Sequence, residues 1–407
     1  MTTPSNPGDQ LSRRRKLLYI LLLGALTALG PFTIDLYLPA FPALEASLGV
    51  TEAQVQLTLA GTTLGFAFGQ LVVGPFSDKF GRRTPLILAT ALHIAASLGA
   101  ALSTDITALG IFRVLMGVGA AGGGVVAMAM VRDLFSGYAM VRMFSRMALV
   151  NGLAPILAPV IGSQLLLVME WPGIFVFLAS YGTVVIVATL FLVRETLPPE
   201  KRGQSGLTAK QRYQALFGDR IFVGLLLVGG LNFGGLFTYL SASPFLFQDV
   251  FGFSAQQYGY LFGINSLGIV AGVQTSARLI RRVPPQWIIA GATAWMFTSA
   301  CLIVLFDQLD MGLWGVMVPL WLYIFGTGFL FPCVQVLALA GHPGQAGTAA
   351  SLLGAATFTT AGLISPVVGW LGIDSATPMG AVQAGCILLA MAALWLVVRP
   401  RTVPSIH

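Results

Sequence analysis

The chain has 407 residues, of which 56% are hydrophobic and only 9% charged, with a mean hydropathy of +0.84. A water-soluble domain carries roughly 25% charged residues, so composition excludes one and points to a chain whose solvent is lipid. The net charge of +7 is then a question of where the basic residues sit.

Residues 1–12, rich in Pro, Ser, Asn and Gly, are expected to form a disordered tail. The run Arg13-Arg14-Arg15-Lys16 ahead of an apolar stretch has the look of a signal peptide, but that stretch is about 24 residues long and reads as an uncleaved first helix. A bilayer crossing takes about 20 residues at 1.5 Å each. Such runs are expected at Leu17–Ala40, Val55–Pro75, Pro85–Ser103, Ala108–Met130, Met143–Val168 and Ile174–Val193, and again at Ile221–Phe247, Tyr258–Ala277, Trp287–Phe306, Leu313–Leu339, Thr348–Leu371 and Ala381–Val398. The polar stretch 196–219 divides them six and six, which predicts a bundle at 13–195, a linker, a second bundle at 220–399 and a tail at 400–407.

The basic residues fall into every second connection, the two termini and, with Arg146, the mouth of the fifth span, and only Arg113 of the 22 Lys and Arg lies deeper inside a span. The alternate connections carry Glu45, Glu52, Asp105, Glu170, Asp249, Asp307, Asp310 and Asp374 and no Lys or Arg. Cytoplasmic loops collect Lys and Arg, so both termini are expected in the cytoplasm. The basic excess thus reflects topology facing anionic lipid, not a nucleic-acid surface. Cys301, Cys333 and Cys386 all fall within spans and imply no disulfide framework.

The two halves repeat weakly. Pro39 returns as Pro244, Arg82-Arg83 as Arg281-Arg282, and Pro159-Val160-Ile161-Gly162 as Pro366-Val367-Val368-Gly369, in register with the span count. In the fifth span Ala154, Ala158 and Gly162 share one helix face, as do Ala361, Ser365 and Gly369 in the eleventh. Such stripes let helix backbones approach closely in lipid.

Asp35 is the one acidic residue of 15 inside a span. An ionised carboxylate there costs several kcal/mol, so it must be paired or able to take up a proton. Arg113 is its expected partner, since both lie about five residues, roughly 8 Å, from the same end of their helices. His93 is a further candidate for proton transfer, although a lone buried histidine is more often a neutral packing residue. The few buried polar groups amid aromatic residues predict a substrate cavity touching Tyr37, Asn151, Asn232, Phe237, Tyr239, Asn265 and Gln335, a lining suited to bulky lipophilic compounds. The sequence shows no metal-ligand cluster, no nucleophile with its base and no phosphate-binding Gly loop, so no metal, cofactor or enzymatic activity is expected.

The loop from Gly74 to Pro85, with Gly74, Asp78, Gly81, Arg82 and Arg83, closely resembles the signature between helices two and three of the major facilitator superfamily. The resemblance implies a latch that holds the cytoplasmic side by charge contacts with the other half. Span four, from Leu109 through Arg113 to Gly117 and Gly119, is similar to the family's proton-linked arginine motif, with Met116 at a frequent Gln. Gly152, Ala154, Pro155, Ala158, Pro159 and Gly162 in span five look like the antiporter motif of drug exporters. Together with Thr33 to Pro42, Arg132-Asp133-Leu134-Phe135 and Glu195 to Glu200, these resemble the bicyclomycin and chloramphenicol resistance (Bcr/CflA) branch of drug:proton antiporters.

The expected fold is therefore an all-α membrane protein of twelve helices in two pseudo-symmetric six-helix bundles. What the resemblance implies is a monomeric exporter of lipophilic drugs in the bacterial inner membrane, coupled to protons through Asp35 and Arg113. A proton-coupled carrier of a small metabolite and a non-transporting membrane receptor or scaffold remain alternatives.

Overall fold

The computed structural model describes residues 12–202, 209–342 and 345–403. The remaining parts of the expected tails and linker lie outside the described residues, as does the side chain of Asn151. Twelve long helices are present among the described residues, and no strand. They are α1 (Arg13–Asp35), α2 (Glu52–Phe80), α3 (Arg83–Ala101), α4 (Ile106–Leu134), α5 (Gly137–Leu165), α6 (Trp171–Leu192), α7 (Arg220–Phe245), α8 (Ala255–Leu279), α9 (Pro285–Gln308), α10 (Gly312–Ala340), α11 (Ala346–Ile364) and α12 (Thr377–Ala392). Among the described residues, ten helices are long and apolar enough to cross a membrane. In α5 the described apolar stretch is Gly152–Leu165. Gln256, Gln257, Asn265, Gln274 and Thr275 lower the hydropathy of α8.

Proline decides where two spans break. The first is expected to run to Ala40, but α1 ends at Asp35, followed by a 3-10 turn at Leu38–Ala40 and a short helix at Phe41–Leu48. Pro39 has no N–H for the Asp35 carbonyl, and its ring collides with that carbonyl in a continuous helix. Pro366 acts likewise on the eleventh span, which divides into α11 and Val367–Leu371.

The internal duplication extends beyond the three sequence matches. Both α2 and α8 start with a capping box: Gln54 N–H donates to Thr51 Oγ1 at 3.4 Å and Thr51 N–H to Gln54 Oε1 at 2.9 Å, while Gln257 and Ser254 form the same pair at 3.2 and 2.9 Å. Glycines carry a close helix crossing in each half. A Cβ on Gly65 or Gly117 would collide with a backbone carbonyl across the α2–α4 contact, as would one on Gly272 or Gly328 across α8–α10.

Helices α1–α6 pack on one another, as do α7–α12, and the halves meet along α2–α11 and α5–α8. Hydrogen bonds cross this seam at the end away from the termini. Gln56 Nε2 donates to the Ser241 carbonyl (3.1 Å) and Gln56 Oε1 accepts from Gly369 N–H (3.0 Å). Gln248 donates to the Pro39 carbonyl (3.2 Å) and Gln256 to the Ser163 carbonyl (2.9 Å), with Phe41 packed on Phe245 at 5.7 Å.

Candidate functional site

Below that seal lies a cavity of about 590 Å³ bounded mainly by α1, α5, α7 and α8, with contributions from α2, α10 and α11. It runs from Asp35 toward the termini end, where Leu149, Leu153 and Gln274 are exposed. The walls are overwhelmingly apolar, and Asp35 is the one charged residue among them. It is 5% exposed, and among the described residues no hydrogen bond or ion pair reaches its carboxylate.

Arg113 does not pair with Asp35 in this structure. It is fully buried on α4, and one guanidinium NH donates to the Thr33 carbonyl at 2.7 Å. That acceptor follows from the break in α1: the last four carbonyls of a helix lack intrahelical donors, and Thr33 is one of them. The guanidinium carbon lies 4.3 Å from the Tyr37 ring and 5.7 Å from the Phe175 ring, cation–π contacts of about 2 kcal/mol when shielded from water. Its Nε and second terminal nitrogen have no partner.

Thr33 has a second role that the sequence reading missed. Its hydroxyl lies 2.6 Å from the Leu29 carbonyl and 2.8 Å from His93 Nε2. The hydroxyl has a single proton, and the carbonyl can only accept, so Thr33 donates to Leu29 and His93 Nε2 donates to Thr33. The other ring nitrogen of His93, Nδ1, is buried without a partner. A polar residue two positions before the only intramembrane carboxylate was the available signal. Gln56, a primary amide in an apolar span, was the corresponding signal for the seam.

The expected substrate residues separate into three places. Phe237, Tyr239 and Asn265 line the cavity, with Asn265 Nδ2 donating to Tyr239 Oη at 3.1 Å. Asn232 and Gln335 line a smaller neighbouring pocket. Tyr37 lines neither: it is fully buried, 2.5 Å from Thr58 Oγ1 and beneath Arg113. In the α5 motif, Gly152 and Pro155 border the cavity, and Ala154 and Ala158 are buried. A Cβ on Gly162 would collide with the Leu36 carbonyl, and the Pro159 carbonyl lies 2.9 Å from where a Cβ on Gly259 of α8 would sit.

The loop between α2 and α3 differs from the expected latch in its partners. Arg82 binds Asp78 at 2.5 Å, Ser77 at 2.8 Å and Asp133 at the end of α4 at 2.8 Å. Its recorded charge contacts therefore stay within its own half. Burial disfavours the charge on Arg82, but the bonds to Asp133 and Asp78 outweigh it and push its pKa up. Gly81 has φ +92°, and a Cβ there would meet the Glu195 carboxylate, so the turn requires glycine. Gly74, at the other end of the motif, leaves room beside Val125.

Glu195, just beyond α6, accepts from the backbone N–H groups of Arg82, Arg83, Thr196 and Leu197 at 2.8–3.3 Å. Burial pushes its carboxyl up, but these bonds outweigh burial and hold it below the ordinary 4.5. A carboxyl held low contributes stability that is full above its unfolded value and is lost as pH falls through the lowered folded value. The melting temperature is therefore expected to decline below about pH 4.5. Glu195→Gln should melt lower at pH 7 and decline less in acid, and an unchanged acid profile in that variant would contradict the assignment.

Two helical halves, sealed at one end around a cavity with a single carboxylate, define a multi-pass membrane transporter. The sequence profile described as Major Facilitator Superfamily matches residues 20–366. The chain is 34% identical over 373 residues to an uncharacterized transporter, YdgK, of Bacillus subtilis, covering 91% of this chain and 92% of that protein. It is 30% identical over 382 residues to a bicyclomycin resistance protein homolog of Haemophilus influenzae, covering 93% and 95%. Its fold is similar to that of a bacterial homolog of the human lysosomal transporter Spinster in an inward-facing and occupied conformation, with TM-score 0.78, 14% identity and coverage of 98% and 100%. The chain belongs to the major facilitator superfamily, in its Bcr/CflA-type branch.

Proposed function

We propose that this transporter is a proton-driven exporter of lipophilic small molecules in the bacterial inner membrane, with both termini in the cytoplasm and its cavity open inward. The observation that carries the reading is the lone carboxylate of Asp35 in a large apolar cavity. Apolar walls accept bulky compounds without the fixed hydrogen bonds that sugars or amino acids need. The bicyclomycin resistance homolog among the relatives supports a drug as cargo.

Asp35 alternates between the protonated and ionised forms. Arg113 holds two unpartnered guanidinium nitrogens ready for the carboxylate in the state where the two approach, and that approach favours proton release. Drug arriving from the cytoplasm then exchanges against a proton taken up from outside. The small-residue face of α5 and the glycines of α8 give the halves a smooth seam to rock along.

Inverted vesicles acidified inside test this reading. Adding chloramphenicol or ethidium to the medium should collapse the pH gradient, detected with a quenched amine dye, in vesicles containing the protein and not in empty ones. Collapse by an amino acid or peptide, with none by either drug, would overturn the reading.

A further inference from the structure

A second cavity of about 220 Å³ lies between α7, α10 and α11 and shares Phe331 with the first. It sits nearer the termini: Gly229 and Asn232 precede the main-cavity residue Phe233 on α7, and Val334 and Gln335 follow Phe331 on α10. An aromatic partition divides the two. Phe233 packs on Phe331 at 5.9 Å and on Phe358 at 5.2 Å, and Phe66 of the other half closes on Phe358 at 4.5 Å.

The two compartments differ chemically. The first holds a carboxylate, whereas the second has no charge and is lined by two primary amides. Asn232 is 1% exposed, and its Oδ1 has no hydrogen-bond partner. Gln335 is exposed at the rim. Gln70 of α2 reaches over the opposite wall, so close to Gly354 that a Cβ there would collide with its Oε1. An amide buried without a partner is costly in an apolar bundle, and a primary amide can both donate and accept.

We propose that this side pocket is a second binding compartment for a neutral hydrogen-bonding arm, a carboxamide or hydroxyl, of an amphipathic substrate whose apolar body fills the main cavity. The inference rests on the exporter reading and adds a selection rule to it. A site built to hydrogen-bond a polar group discriminates against molecules lacking that group far more than apolar walls discriminate by size.

The test is equilibrium binding to the purified full-length protein in lipid nanodiscs. One probe is chloramphenicol, neutral, with two hydroxyls and an amide; the other is tetraphenylphosphonium, a lipophilic cation with no hydrogen-bonding group. Asn232→Leu preserves side-chain size and removes the amide. It should weaken chloramphenicol about tenfold and leave tetraphenylphosphonium within about twofold. Ala350→Leu, which fills the pocket from α11, should give the same split by a different route. Equal weakening of both probes, or of neither, in variants with wild-type melting temperatures overturns the second compartment while the exporter reading stands. If neither probe binds the wild-type protein, both fall.

Discussion

Asp35→Asn is expected to reduce drug transport driven by a pH gradient to the level of empty vesicles, with the protein still inserted and its melting temperature nearly unchanged. The substitution conserves shape and resembles a permanently protonated carboxyl. Because no group among the described residues pairs with the Asp35 carboxylate, removing its charge leaves none of them stranded. The loss is therefore energetic coupling and not stability. A proton moving down 100 mV contributes about 2.3 kcal/mol, enough to hold a gradient of roughly fiftyfold. That driving force disappears when the site cannot ionise, although drug binding should persist. Undiminished gradient-driven transport by the variant would remove Asp35 from the mechanism, and loss of drug binding alongside transport would make it a substrate contact instead.

The second large effect is expected from Gln56→Leu, which should shift the protein from its present form, sealed at the Gln56 end, toward one open at that end. Gln56 is fully buried, and its amide bridges both α7 and the segment after α11. Leucine leaves the Ser241 carbonyl and the Gly369 N–H without those bonds in the sealed form, whereas opening at that end lets water reach them. Each stranded buried group costs about 1–3 kcal/mol. A combined 2 kcal/mol already changes the ratio of the two forms about thirtyfold. Leu102 and Leu309 are exposed on the two halves at the sealed end. Spin labels there, in a background freed of native cysteines, should report a longer distance in the variant. An unchanged distance distribution would show that the seam does not depend on this amide.

The sequence made the twelve spans and the two intramembrane charges legible, because lipid penalises charge strongly enough for exclusion to be read residue by residue. It did not reveal what Arg113 binds. The acceptor is a backbone carbonyl, freed by a helix break that hydropathy reads straight through because Pro39 is itself apolar. The latch loop was recognisable from its Gly and Arg spacing, but its partners Asp133 and Glu195 come from the far ends of α4 and α6. Tyr37 shows the same limit on a smaller scale: an aromatic residue beside a buried acid can line a cavity or support a cation, and only packing separates the two.

The break in α1 has a mechanical consequence. The short helix Phe41–Leu48 begins six residues beyond Asp35, and its Phe41 ring rests on Phe245 of the opposite half. The carboxylate thus sits at the root of a lever whose tip is part of the seal between the halves. A displacement at either end acts on the other through a few residues of backbone, and the two equilibria share one coupling free energy. By whatever factor a bound proton changes the odds of the seal opening, opening changes the affinity for that proton by the same factor.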